Sequence, residues 1–220
     1  MKWREGRVIN RIAIPVTRRC NRVCPECPAR GDSQTPVEEL KWVGKMLGPI
    51  GKIELTGGEP SLHPDFEEIS KSCHDWFDCK DIMLLTNGSI PDSKLPLLLN
   101  YDRVYITHYT NEFGIRHHAQ PNTGDVNRVE DYLKKNGKKF WTQRMDKHTP
   151  IGSPPYTGIP ACGYDRGDSV GYGQGRIYGC CVAFWLSDKG DSIPLTRDWR
   201  DHLSEVTTPC ATCFFTGEKR

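Results

Sequence analysis

At 220 residues the chain can bury one sizeable core, which favours a single domain with an appendage over two full domains. Thirty Lys and Arg against twenty-eight Asp and Glu leave a formal net charge of +2, which excludes the one-sided charge of a duplex-binding protein and leaves a nucleic-acid or peptide substrate open. No run of eighteen apolar residues occurs and Met1–Glu5 does not lead into a secretory apolar segment, so a cytoplasmic protein without a membrane partner is expected, and its ten cysteines point to metal rather than disulfides.

Arg7–Val16 is β-branched and runs straight into a cysteine cluster, the pattern of a strand followed by a loop. Thr35-Pro36-Val37-Glu38 has the form of a capping box with proline at the first helical position, and Val37, Leu40, Val43 and Leu47 follow at helical spacing. Strand and helix then recur. Lys52–Thr56 precedes an amphipathic run carrying Phe66, Ile69, Cys73, Trp76 and Phe77, and Ile82–Thr86 precedes a helical segment from Asp92 to Asn100. Val104–Thr107 is followed by a helix over Asp125–Asn136, with Gly137 suited to its C-terminal cap, and Lys139–Gln143 gives a fifth strand.

Such alternation implies an α/β fold with a parallel sheet. Periodicity fits an open sheet or a barrel equally; the glycine, asparagine, histidine, arginine and cysteine residues that follow the strands favour a partial (β/α) TIM-like barrel of five to six strands, with those ends on one rim. After Pro150 the composition turns Gly-, Pro- and Tyr-rich, and Asp168–Tyr172 and Arg176–Cys180 flank a glycine-containing turn. The expected division is therefore a barrel over 1–150 and a small C-terminal β-hairpin and helix module, binding a cluster, over 151–220.

Cys20-x3-Cys24-x2-Cys27 brings three thiols into one short loop, and three thiolates on a four-iron cubane leave one iron open for a ligand. Gly57-Gly58-Glu59-Pro60 directly follows the second strand, where glycines allow close backbone approach to a ligand and a carboxylate can accept from an ammonium. A zinc knuckle of Cys24 and Cys27 with Cys210 and Cys213 is the alternative; it leaves Cys20 idle and gives no role to the glycine turn. Cys73 falls on the apolar face of its helix as a small hydrophobe, and Cys79 has no evident partner.

At these residues the chain resembles the radical S-adenosylmethionine (SAM) superfamily, whose three-cysteine loop matches Cys20, Cys24 and Cys27 and whose Gly-Gly-Glu-Pro motif matches Gly57, Gly58, Glu59 and Pro60. The resemblance implies a 4Fe-4S cluster with SAM chelating the open iron, the Gly57–Pro60 turn holding its amino end, and reductive cleavage to a 5′-deoxyadenosyl radical. Looser matches are Thr86-Asn87-Gly88, His108-Tyr109 and Gln143-Arg144. They imply SAM contacts for Asn87, His108 and Arg144, and catalytic roles for Arg144 and Tyr109. A salt bridge from Arg144 to Asp146 is nearly as good a reading.

Cys162, Gly175 and Cys180, with Cys210 and Cys213, resemble the auxiliary-cluster module called a twitch domain, related to SPASM modules. The resemblance implies a second, fully ligated 4Fe-4S cluster; Cys181 can replace Cys180, and a structural zinc site is the alternative. These residues lead to an expected oxidation of a small polar molecule with the auxiliary cluster as electron acceptor, in the manner of the two-cluster aminocyclitol (2-deoxy-scyllo-inosamine) dehydrogenase type. The alternatives are a rearrangement or modification of a peptide or nucleotide, and a zinc-stapled binding module. An electron donor such as flavodoxin or ferredoxin is implied as partner. Arg116-His117-His118 fits a solvated loop, and the aromatics from Tyr156 to Trp185 fit a shield around the second cluster.

Overall fold

The computed structural model describes residues 9–24, 27, 31–111, 121–145, 169–179 and 192–206. Its strands are β1 (Arg11–Thr17), β2 (Lys52–Gly57), β3 (Ile82–Thr86), β4 (Arg103–Tyr109), β5 (Phe140–Met145), β6 (Ser169–Gly173), β7 (Arg176–Tyr178) and β8 (Ser192–Pro194). They form one sheet in the order β5-β4-β3-β2-β1-β6-β7-β8. β1 to β6 are parallel, and β7 and β8 are antiparallel.

From β1 to β5 each strand is added on the same side of its predecessor, with no reversal of order. Right-handed crossovers then place every connecting helix on one face, the arrangement of a partial barrel rather than a doubly wound sheet. The helices are α1 (Val37–Leu47), α2 (Phe66–Trp76), a 3₁₀ helix over Asp92–Asn100 and α3 (Thr123–Lys135). Each touches the next in one layer. Ile12, Ile14, Ile53, Leu55, Ile82, Leu84, Val104 and Ile106 alternate toward this layer and form the core with Leu40, Phe66, Leu98 and Val129. Pro96 lies inside the 92–100 segment, where it removes one backbone donor.

One expectation is corrected. Thr35 does not cap α1: Pro36 is the cap residue, without a side-chain bond, and Thr35 Oγ1 donates instead to the Pro15 carbonyl at 2.7 Å. The hairpin forms across Gln174-Gly175, both at positive φ (50° and 74°), as expected. Its first strand, β6, pairs with β1 through Arg11↔Ser169 and extends the parallel sheet to six strands. Gly137, at φ 64°, follows the Asn136 cap of α3 as expected. Cys73 is fully buried in the core, with its thiol pushed up to about 12 by burial, and both Cys73 and Cys79 are free.

Candidate functional site

The rim is built around a backbone splice between the first two strands. Gly58 N–H donates to the Thr17 carbonyl and Glu59 N–H to the Arg19 carbonyl, each at 2.8 Å, immediately before Cys20. Gly57 stands at φ 151°, and a Cβ there would lie 2.3 Å from the Thr17 carbonyl oxygen; one on Gly58 would lie 2.2 Å from that of Arg19. The two glycines are thus required by contact with the cysteine loop's own backbone, not only by a ligand.

Glu59 turns inward. Its carboxylate is fully buried and accepts from Ser61 N–H at 3.2 Å, from Thr86 Oγ1 at 3.0 and 2.9 Å and from Asn87 N–H at 2.8 Å. Burial pushes the carboxyl above its ordinary range, and these donors oppose the shift. The carboxylate thereby staples the ends of β2 and β3. Pro60 begins the 3₁₀ helix Pro60–Leu62 at the position where a missing N–H is harmless.

Cys20 is exposed, Cys27 half-buried and Cys24 buried, with Cys27 N–H donating to the Cys24 carbonyl at 3.2 Å. Burial raises the thiols of Cys20 and Cys24. Charge on Cys27 adds to the rise at both, while the Arg22 guanidinium opposes it at Cys24. Arg22 lies over the Tyr109 ring at 4.6 Å, and Tyr109 hydrogen-bonds to Cys24. Tyr109 thus lies at the cysteine loop, and its phenol is pushed up by burial and by the three thiols.

The donor set fits a 4Fe-4S cubane. All three groups are soft sulfur ligands in one loop. A cubane needs sulfurs spread over three irons rather than drawn around one ion.

The remaining site residues separate by strand face. Asn87 reaches the cysteine loop: its Nδ2 is 3.7 Å from Cys20 Sγ. His108 and Arg144 are cross-strand partners, and His108 Nε2 contacts Thr123 Oγ1 of α3 at 3.0 Å. On the same face of β5, Thr142 bonds to Glu130 of α3. Alternation thus sets His108 and the exposed Arg144 toward the helix layer, not the barrel interior. The interior face carries Tyr105, Trp141 and Gln143, with Tyr105 Oη donating to Gln143 Oε1, and Glu54 held between Arg11 at 3.4 Å and Lys52 at 3.0 Å. Cys162, Cys180, Cys181, Cys210, Cys213, the 116–118 loop, Asp146 and four of the aromatics, Tyr156, Tyr164, Phe184 and Trp185, lie outside the described residues.

Three contributors were not anticipated. Asn122, 2 % exposed, accepts from Tyr109 N–H and donates to the Asn87 and Thr107 carbonyls, locking the ends of β3 and β4. His63, 1 % exposed, accepts from Asp65 N–H at Nδ1, so Nε2 donates to the Thr35 carbonyl and fixes the Gly57–Pro60 turn against the approach to α1. Arg22 carried a signal, a cation inside a thiol loop; isolated loop residues such as Asn122 and His63 carry none.

Residues 14–145 match the radical SAM superfamily. The chain belongs to that family. Among curated relatives, it is 33% identical over 102 residues to the mitochondrial GTP 3′,8-cyclase of Arabidopsis thaliana, covering 42% of this chain and 26% of that protein. It is 37% identical over 95 residues to a probable GTP 3′,8-cyclase of Methanocaldococcus jannaschii, covering 40% of this chain and 32% of that protein. The matches thus span about a quarter to a third of these relatives. The fold is shared with BtrN, solved with AdoMet and 2-DOIA, at TM-score 0.59 and 15% identity over 97% of this radical SAM chain and 98% of that one. It is shared with Streptococcus suis SuiB bound to S-adenosylmethionine at TM-score 0.54 and 15% identity, over 66% and 36%.

No helix of the described residues is long and apolar enough to cross a membrane.

Proposed function

We propose that Cys20, Cys24 and Cys27 hold a 4Fe-4S cluster, that SAM binds beside it over the Gly57–Pro60 turn, and that the protein abstracts a hydrogen atom from a small-molecule substrate. Bound cluster and SAM supply the electron and the 5′-deoxyadenosyl radical. The observation that carries this reading is the backbone splice of Gly58 and Glu59 onto Thr17 and Arg19, which fixes the cysteine loop against the turn.

The chain's own residues hold geometry. Glu59 fixes the ends of β2 and β3, leaving the backbone of the Gly57–Pro60 turn to take the SAM amino group. Tyr109 and Arg22 cover Cys24 and exclude water from it. Asn87 faces the cluster loop, while His108 and Arg144 reach SAM only over the strand ends. Substrate meets Tyr105, Trp141 and Gln143 on the interior face.

Two readings of the substrate have different support. Modification of a nucleotide is the better supported, because the sequence relatives are GTP 3′,8-cyclases. Oxidation of a small polar molecule is supported by the spacing of Cys162, Cys180, Cys210 and Cys213, which would bind an auxiliary cluster to accept the substrate's electron. Both use a donor such as flavodoxin or ferredoxin.

Anaerobic reconstitution separates these readings. About eight irons per chain supports two clusters and about four supports one. GTP-dependent formation of 5′-deoxyadenosine favours the nucleotide. A product oxidised by two electrons for each SAM cleaved favours the dehydrogenase. Zinc without iron overturns all of them.

A further inference from the structure

Every polar group of Asn87 is committed, and the pattern fixes which way its amide points. The backbone N–H donates to Glu59 Oε2 at 2.8 Å, and the backbone carbonyl accepts from Asn122 Nδ2. Oδ1 accepts from Ser89 N–H at 2.9 Å. The amide nitrogen must therefore face the cysteine loop, where it donates to Asn21 Oδ1 at 3.0 Å and stands 3.7 Å from Cys20 Sγ. Asn21 is held in turn by its own amide donating to the Ser89 carbonyl at 2.9 Å. Asn87 is only 5 % exposed, so bulk water does not draw its amide away from the exposed Cys20.

We infer that Asn87 is a positioning residue for electron entry: its side-chain N–H donates to the Cys20 thiolate and raises the reduction potential of the cluster bound there. Reduction adds one negative charge to the cluster and its sulfurs. An N–H aimed at a ligating sulfur is therefore a stronger bond in the reduced state, and it makes reduction easier. Glu59 acts one step further back, since its carboxylate fixes the Asn87 backbone and hence the reach of the amide. Among the described residues, the Asn87 amide approaches Cys20 and Tyr109 hydrogen-bonds to Cys24. This assigns Asn87 to the cluster rather than to SAM, and it rests on the reading that Cys20 is a ligand.

The test is an EPR-monitored redox titration of reconstituted wild type, Asn87→Asp and Asn87→Ala without SAM. Asn87→Asp keeps the Ser89 bond but cannot donate. The expected result is about a tenfold fall in the reduced-to-oxidised ratio at fixed poise for Asn87→Ala, equivalent to about 59 mV for a one-electron couple, and a larger fall for Asn87→Asp. Unchanged midpoints in variants with full iron content overturn the inference. If neither variant takes up its irons, wild type labelled with ¹⁵N at the asparagine side-chain amides carries the test, with Asn21→Ser removing the neighbouring amide: a resolved ¹⁵N hyperfine coupling to the reduced cluster supports the bond, and its absence overturns it. Retention of the cluster in Cys20→Ala refutes the ligand reading itself. A cluster lost in Cys20→Ala but insensitive to Asn87 refutes this inference alone.

Discussion

Thr86 Oγ1 lies 3.0 and 2.9 Å from the two carboxylate oxygens of Glu59, and both residues are buried where β2 and β3 end. A buried carboxylate served by a hydroxyl and two backbone N–H groups makes the staple specific, because a neutral isostere would turn one acceptor into a donor facing a donor.

Glu59→Gln is expected to destabilise the protein by about 1–3 kcal/mol, and Thr86→Val by about 1 kcal/mol, in denaturant unfolding. The Glu59 carboxyl is raised in the folded state, so its contribution is fully present below its ordinary value of 4.5 and is lost as pH rises through the folded value. Stability curves of wild type and Glu59→Gln should therefore converge in slope above that window. They should differ within it, the wild type losing stability with rising pH.

Gly58→Ala places a methyl 2.2 Å from the Arg19 carbonyl oxygen, so the splice must open. Overpacking of this kind costs about 1–3 kcal/mol, and the displaced loop carries Cys20 with it. Iron content after reconstitution should fall along with the unfolding midpoint; full iron content in a folded variant would show that the loop does not need the splice.

Tyr101→Phe separates scaffold from site. Tyr101 Oη and Ser70 Oγ are 2.7 Å apart and buried together behind the sheet. Loss of the hydroxyl should cost about 1 kcal/mol, about 2–4 °C for a chain of this size, measured by thermal unfolding. SAM cleavage should be unchanged.

Trp141 is 70% exposed on the interior face, opposite Tyr105 in register. Its removal takes away little packing, so Trp141→Ala should change stability by no more than about 0.5 kcal/mol. It should weaken substrate-dependent turnover through KM while substrate-free cleavage of SAM continues at the wild-type rate. Equal loss of both rates would place Trp141 outside the substrate face.

The strand and helix order was legible because the core faces carry clean period: Ile12, Ile14, Ile53 and Leu55 alternate, and Val37, Leu40, Val43 and Leu47 keep helical spacing. The cysteine loop and the glycine turn were legible as local motifs. What sequence did not disclose depends on contacts between distant residues. Ser169 reaches Arg11 across 158 positions, so no local pattern shows that β6 joins the sheet at β1. Thr35 has the right neighbours for a cap, but the Pro15 carbonyl competes for its hydroxyl. Glu59 has the chemistry to receive an ammonium, and only the arrival of Thr86 and Asn87 from β3 turns it inward. Arg144 lies one residue before the end of its strand, and register with His108 decides its face.

The central claim is that Cys20, Cys24 and Cys27 hold a cluster that cleaves SAM. The most direct measurement is 5′-deoxyadenosine formed by anaerobically reconstituted protein with SAM and reductant, compared with Cys20→Ala. The account predicts formation by wild type, with four irons or more per chain, about four per cluster, and its abolition in Cys20→Ala. A wild type that binds only zinc, or a Cys20→Ala variant that still cleaves SAM, would contradict it.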